Sequence, residues 1–354
     1  MLSITLKPLG AFHLQTGGLD HERVDAYPRS DTLSAAIMHH WAAQYGSIPG
    51  LPDLPPFRIS SVYPLLRAES DQAGIRLFPK PQHITFDLFK KWVGEDAFSH
   101  KEFKKIKWMD ESLFMSALAD PDSLEKNCPK NPDDGCLACS GSVWLHNNYS
   151  GIPVEFDLQN EQELTRVVLD RVTQSSTPYH FVNTHFPEDT GLHFLADVQK
   201  EHFGRFMTLL RLLGDEGIGA DRTVGLGHFR VTGHEEWQPP NQGGAKGWLN
   251  LGLFNPAGSD MNMIDWPNSR YELISRGGWV SGLALRRRSV RMIAEGAVLK
   301  SETAPEGRLV NVLDSNQPDM LERHRDYLIN TAGLDHPVYR DGRTIMLPLN
   351  RILS

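Results

Sequence analysis

Gly217-Ile218-Gly219-Ala220-Asp221-Arg222-Thr223-Val224-Gly225-Leu226-Gly227-His228-Phe229-Arg230 packs four glycines, two arginines and one acid into fourteen residues. Glycine at this density lets backbone N–H groups approach a bulky anion with no Cβ in the way. No Gly-Lys-Ser/Thr follows, so this is no Walker loop. The stretch follows a helix pattern and precedes a strand pattern, the reverse of a dinucleotide fingerprint. Two readings stay open on the loop alone, a flexible connector and a seat for a phosphate-rich ligand. The segments on either side decide between them.

Upstream, Phe203, Phe206, Met207, Leu210 and Leu213 recur at helical spacing and predict an amphipathic helix that closes near Gly214. Downstream, residues 228–234 read as a strand. Further upstream, residues 179–198 hold two strand-like pieces around Glu188-Asp189-Thr190-Gly191, which predicts a hairpin. At the N-terminus, Leu2, Ile4, Leu6, Phe12 and Leu14 alternate through a first strand over residues 3–14. A helix then starts at Ser30, with Ser30-Asp31-Thr32 as its cap and Leu33, Ile37, Trp41 and Tyr45 as its stripe, and stops at Gly46. Residues 57–66 read as another strand. The resulting order is βαββαβ with an insertion, the ferredoxin-like unit, whose open sheet face is a common RNA platform.

The rest of the chain sorts into an insertion and a second domain. Between Lys80 and Lys107 seven lysines stand against four acids, interleaved with Phe86, Phe89, Trp92, Phe98, Phe103 and, just beyond, Trp108. Charge tracks an RNA backbone and rings stack on bases, although a solvated amphipathic segment has the same pattern. Cys128, Cys136 and Cys139 follow, with His146. One Cys-x-x-Cys is a weak zinc signal, so free thiols in a surface insertion are expected ahead of a zinc site on these four residues, with no metal and no cofactor assigned. Pro239-Pro240-Asn241-Gln242-Gly243-Gly244 marks a linker. The expected division is residues 1–238, with an insertion around 80–150, and residues 239–354. The second part is strand-rich, with one helix near 318–331, and reads as a degenerate second ferredoxin-like unit in an α+β chain. Arg276-Gly277-Gly278 and Arg286-Arg287-Arg288 form a second cationic focus there. Strand alternation sends Arg287 to the opposite face from Arg286 and Arg288.

The bulk numbers bound the function. The 354 residues suit about two domains, with 40% hydrophobic and 23% charged residues. No apolar run approaches the roughly 20 residues of a membrane helix, and the N-terminus lacks the apolar core of a signal peptide. Three cysteines point to a reducing cytoplasm. A net charge of −8 excludes wholesale coating of nucleic acid and leaves room for a local basic groove.

In order along nearly the whole chain, a set of short motifs carries a resemblance. They are Gly10-Ala11-Phe12-His13 with Gly17-Gly18-Leu19; Ser30-Asp31-Thr32-Leu33; Ile59-Ser60-Ser61-Val62-Tyr63-Pro64; Phe78-Pro79-Lys80-Pro81; Phe103-Lys104-Lys105-Ile106-Lys107; the loop from Gly219 to Phe229; Ser275-Arg276-Gly277-Gly278-Trp279; and His336-Pro337-Val338-Tyr339-Arg340-Asp341-Gly342. Together they resemble the Cas5-like fourth subunits of Csm, or type III-A CRISPR, effector complexes, within the repeat-associated RNA-binding superfamily. The resemblance implies two ferredoxin-like domains, a glycine-rich loop and a protruding thumb, which residues 80–108 match by position. It implies no nuclease activity. Its members grip the 5′ handle of the crRNA, cap the backbone filament beside a Cas7-type subunit, dock on the large Cas10-type Palm-domain subunit, and meet target RNA only indirectly. Carried onto this chain, the RNA-binding residues are His13, Gly17, Gly18, Ser30, Asp31, Thr32, Lys80, Lys104, Lys105, Lys107, Gly219, Arg222, Thr223, Gly225, Gly227, Arg276, Arg286 and Arg287. Two departures stand out: Ala220 where the family often has glycine, and Thr223 where it often has serine.

Three other readings compete. A crRNA-processing endoribonuclease of the related branch would use histidine as acid or base near the loop, which nominates His13, His21 and His228. A metal nuclease would need converging carboxylates, and only Asp20, Glu22, Asp25 and Asp31 are dense enough. A pure assembly subunit would turn its cations toward acidic partners instead.

Overall fold

The computed structural model describes residues 1–16, 24–51, 55–66, 74–149, 156–240, 244–280, 286–313 and 338–352. In the first half the chain runs β1 (Leu2–Pro8), α1 (Ser30–Tyr45), β2 (Phe57–Ile59), β3 (Tyr63–Leu66), β4 (Ile75–Pro79), α2 (Phe86–Val93), α3 (His100–Lys105), β5 (Trp108–Asp110), α4 (Glu111–Ala119), β6 (Leu137–Ala138), β7 (Val143–Trp144), β8 (Asn160–Leu169), β9 (Ser176–His185), β10 (Thr190–Val198), α5 (Phe203–Glu216) and β11 (Phe229–Glu236). Nine strands form one sheet in the order β11-β1-β10-β3-β4-β5-β7-β6, with β2 also on β10. Its first four positions, mutually antiparallel, have the arrangement a βαββαβ unit requires.

Alternation explains the inner face. Ile4 and Leu6 on β1, Leu192, Phe194 and Ala196 on β10, and Phe229 on β11 point at α1 and α5, which supply Leu33, Ile37, Trp41, Phe206, Leu210 and Leu213. Over β3, β4 and β10 the opposite face is not open, contrary to the RNA-platform expectation, and it stays exposed at Arg230 and Thr232 of β11. Tyr63, Phe78 and Leu195 pack there against Leu249, Leu251, Val298 and Leu347 of the second half, so this part of the face is consumed by internal packing.

Four local expectations change for identifiable reasons. First, β1 stops at Pro8, and residues 11–14 continue as a separate buried leg. Second, α1 takes Arg29 as its cap residue with no side-chain cap bond, because the Ser30 hydroxyl instead accepts from Leu253 N–H (2.8 Å). Third, α5 runs past Gly214 to Glu216. Gly214 is there for close packing, since a Cβ would lie 2.4 Å from the Phe229 carbonyl, and Gly217 ends the helix at φ +84°. Fourth, residues 186–189 do not close a hairpin. β9 pairs with β8, whereas β10 enters the large sheet, so the turn joins two sheets.

The insertion is a compact lobe. Phe89, Trp92, Phe98, Phe103, Met109, Leu113 and Trp144 bury one another, so most rings expected to stack on RNA are core residues. Cys128, Cys136 and Cys139 are free and buried in the lobe rather than on its surface, and burial raises their thiols to about 11–12. The projecting element is the β8–β9 hairpin, ten residue pairs long, which spans about 33 Å at the usual strand rise. Val167, Val168, Leu169 and Val172 are exposed along its outer end.

The second half contributes β12 (Gly247–Asn250), α6 (Gly258–Met263), β13 (Leu273–Arg276), β14 (Val290–Ile293), β15 (Val298–Leu299), β16 (Leu309–Asn311), β17 (Tyr339–Asp341) and β18 (Met346–Leu349). Among the described residues these make a three-stranded sheet, β15-β12-β18, and two two-stranded ribbons, where the sequence suggests one ferredoxin-like sheet. The helix expected near 318–331 lies outside the described residues. No helix among the described residues is long and apolar enough to cross a membrane.

Candidate nucleic-acid interface

The glycine loop is a built structure and not a slack connector. Ile218 N–H donates to the Gly227 carbonyl (3.0 Å), Ala220 N–H to His13 (3.0 Å) and Gly227 N–H to Ala11 (2.9 Å). These bonds clamp the 11–13 leg to the loop on one side. On the other side Phe12 and Thr184 exchange two backbone bonds of 2.8 Å, so the same leg holds the base of the β8–β9 hairpin. Loop, leg and hairpin are thereby one unit.

Its glycines divide into two kinds. A Cβ on Gly217, Gly219 or Gly227 would meet the carbonyl oxygen of Leu226, His13 or Ile218 at 2.6, 2.5 or 2.0 Å, so each permits close chain approach. Gly225 has open space around it and sits at φ +89°, a conformation that favours glycine. The outer rim of the loop consists of Gly219, Thr223, Val224 and Gly225, all exposed, with Arg222 half-buried beside them. Asp221 does not face a ligand. It pairs with Arg166 of β8 (2.5 Å), which ties the rim to the hairpin.

Below that pair, three side chains stack. The Arg166 guanidinium lies 4.1 Å from the Phe181 ring centre, and Phe181 lies 3.9 Å from the His13 ring at 17°. His13 is fully buried, with Nδ1 bonded to the Val182 carbonyl (2.7 Å). It supports the hairpin and cannot touch a solvent ligand, a correction to its place among the RNA-binding and acid–base candidates. His228 is half-buried at the loop. His21, Gly17 and Gly18 lie outside the described residues.

Ser30, Asp31, Thr32 and Arg276 also come together, but inward. Arg276 donates to Asp25 (2.7 Å), Asp31 (3.1 and 3.2 Å) and the Thr32 hydroxyl (3.1 Å), and Arg340 also pairs with Asp31. Asp31 is 1% exposed, and its two arginines hold its carboxyl far below the usual range despite the desolvation that opposes them. Arg29 extends the network to Asp25 and Glu295 (2.8 Å each). These groups join the two halves. They are spent on each other, which corrects the assignment of Ser30, Asp31 and Arg276 to RNA.

The lysines behave differently again. Lys104, Lys105 and Lys107 are exposed, whereas Lys80 lies over the Phe103 ring (3.5 Å) and burial lowers it to about 7. They precede β5, five positions from β11 in the sheet, or about 24 Å from the loop's strand at normal strand spacing. The lysine lobe and the glycine loop are separate surfaces. Arg286 is exposed on the second half, with its guanidinium 5.2 Å from the Trp279 ring, and Arg287 is half-buried. Among the described residues no group of three His, Cys, Asp or Glu could hold a metal ion. Reading the sequence missed Arg166 and Phe181, which sit in a strand with no motif. Residues 160–169 show no apolar alternation that would mark β8.

Comparison with known proteins agrees with the motif order. Residues 244–349 match the CRISPR Csm4 C-terminal domain. The chain is 29% identical to a Csm4 protein of Thermococcus onnurineus over 90% of this chain and 91% of that one, and 23% identical to a Csm4 protein of Methanocaldococcus jannaschii over 99% and 98%. In fold it is similar to a chain of a Csm3–Csm4 subcomplex from a type III-A interference complex (TM-score 0.65, 18% identity, 99% of this chain and 100% of that one). It is also similar to a chain of a Csm1–Csm4 cassette solved with pppApA (TM-score 0.54, 20% identity, 99% and 97%). The sequence motifs, the C-terminal domain match and the two relatives aligned over nearly their full length agree: the chain is similar to Csm4 proteins of CRISPR systems.

Proposed function

We propose that this chain is a non-catalytic, cytoplasmic RNA-binding subunit of a type III-A CRISPR effector ribonucleoprotein that grips the crRNA 5′ handle in antiviral defence. The observation that carries this is the single unit formed by the glycine-loop rim and the β8–β9 hairpin. Arg222, Thr223 and the Gly225 backbone offer charge, a hydroxyl and close approach to phosphates. The hairpin, locked to that rim through Arg166 and Asp221, carries exposed Val167, Val168, Leu169 and Val172, apolar surface suited to wedge beside the strand where handle meets guide. The thumb role therefore moves from residues 80–108 to residues 160–185. Solved Csm4-containing assemblies include Csm3 and Csm1, which supports a Cas7-type backbone subunit and a Cas10-type large subunit as neighbours. Under this reading the two halves are two ferredoxin-like units, the second reduced.

The test is crosslinking in the assembled complex with photoreactive handle nucleotides. Crosslinks at residues 222–225 and at the hairpin are expected, and contacts confined to guide or target nucleotides would overturn the reading. Repeat-RNA cleavage by the isolated protein, abolished by His228→Ala, would establish the endoribonuclease instead.

A further inference from the structure

The network at the junction of the two halves does not balance. Arg29, Arg276, Arg287 and Arg340 face Asp25, Asp31 and Glu295. Three of the arginines are held by those acids in direct pairs. Arg287 has no ion pair or side-chain hydrogen bond among the described residues, and Asp31 reaches it only through space. Its Nε is fully buried without a partner. Burial, with Arg340 and Arg276 alongside, lowers it to about 10. Its position is built: Arg287 N–H donates to the Gly278 carbonyl (2.9 Å), and its guanidinium lies across Gly278, where a Cβ would stand 3.0 Å from the terminal nitrogen. Arg340 donates to the adjacent Gly277 carbonyl (2.8 Å). A desolvated cation beside two others is costly, and a bound anion offsets that cost.

The neighbouring residue adds a second feature. Trp279 pairs with Arg286 across the ribbon, is 39% exposed, and lies against the Arg286 guanidinium. An exposed ring beside a phosphate-binding cation is the combination that single-stranded RNA uses, with a base on the ring and its phosphate on the arginine.

We propose that Arg287, set over Gly278 beside Arg340, seats a phosphate, and that Trp279 with Arg286 takes the adjoining base, forming a one-nucleotide site on the second half distinct from the glycine loop. The source of the phosphate, the crRNA, rests on the RNA-binding reading above; the anion site itself does not. Asp31 and Asp25 are positioning groups that neutralise Arg276 and Arg340 and leave Arg287 for the ligand.

The test uses the full chain as wild type, Arg287→Gln, Trp279→Leu and Arg222→Gln. Thermal unfolding is followed with inorganic phosphate against chloride at equal ionic strength, and binding of single-stranded repeat RNA is measured against salt. Phosphate is expected to raise the midpoint of wild type and Trp279→Leu by the same amount and of Arg287→Gln by clearly less, any remainder coming from the glycine-loop rim and falling in Arg222→Gln; in chloride Arg287→Gln is at least as stable as wild type because a repulsive cation is gone. RNA affinity should fall about tenfold in Arg287→Gln with the salt slope reduced by about one. In Trp279→Leu it should fall by about fivefold or more with the slope unchanged. No phosphate shift, an equal shift in Arg287→Gln, or a variant that unfolds in chloride overturns the site. A phosphate shift with RNA affinity unchanged in both variants overturns the assignment to RNA. A phosphate shift in a wild-type chain that binds no RNA supports the anion site and defeats the RNA-binding reading.

Discussion

Two regions of this molecule are written in nearly the same letters. Gly219 to Gly227 combines glycines with Asp221, Arg222 and Thr223, while the junction combines Asp31, Thr32, Arg276, Gly277 and Gly278. The first ends as a surface rim, with its one acid paired to a neighbouring strand and its arginine half-buried beside exposed Thr223 and Gly225. The second is sealed between two halves, its Asp31 shared by two arginines. Composition does not separate a ligand-binding cation from a structural one. What separates them is whether an acid from elsewhere in the chain arrives within hydrogen-bonding distance.

The contrast can be broken most forcefully at Asp31. Asp31→Asn strips Arg340 of its acid and leaves Arg276 with Asp25 alone in a low-dielectric junction, and should cost about 3–5 kcal/mol, read as lost stability in denaturant unfolding. Loss of RNA binding with stability intact would put Asp31 back among the ligand contacts. Gly227→Ala should be nearly as damaging, because a left-handed conformation costs about 1–2 kcal/mol and the new Cβ strikes the Ile218 backbone. The open Gly225 should lose only about 1–2 kcal/mol as alanine while binding RNA more weakly, since its Cβ would meet bulk solvent or ligand.

Acid sharpens the comparison in a third place. Burial holds His83 neutral, with its pKa lowered to about 4 from the ordinary 6.5, and both ring nitrogens lack partners among the described residues. The unfolded chain binds this proton first, so stability should fall as pH drops from about 6.5 through 4, and His83→Leu should flatten that slope. The smallest effect on folding belongs to Arg166→Gln. The pair with Asp221 is partly exposed and contributes less than about 1 kcal/mol, yet RNA loading should drop because the hairpin loses its tie to the rim. Unchanged loading would separate hairpin from loop.

Much of the first half was legible. Local periodicity placed α1 and α5 within a few residues, and the order of helices and strands implied the antiparallel β11-β1-β10-β3 arrangement. The glycine loop stood out because few other uses explain such density. The site was half legible. Lys104, Lys105, Lys107, Thr223 and Gly225 are exposed as a ligand surface requires, whereas His13 and Arg276 are not. Nothing near His13 in sequence announces Phe181, which covers it from 168 positions away.

By itself, the sequence determined this protein's family resemblance, its ordered motifs, the alternation of its strands and the position of its loop, because each is a property of neighbouring residues. The tertiary structure decided which sheet face is covered, which segment projects, and which arginines remain available. Those outcomes depend on contacts between residues far apart in the chain: Leu195 with Leu347, Arg166 with Asp221, Arg276 with Asp31. A cation's role follows from its partners, and the partners meet only in the folded chain.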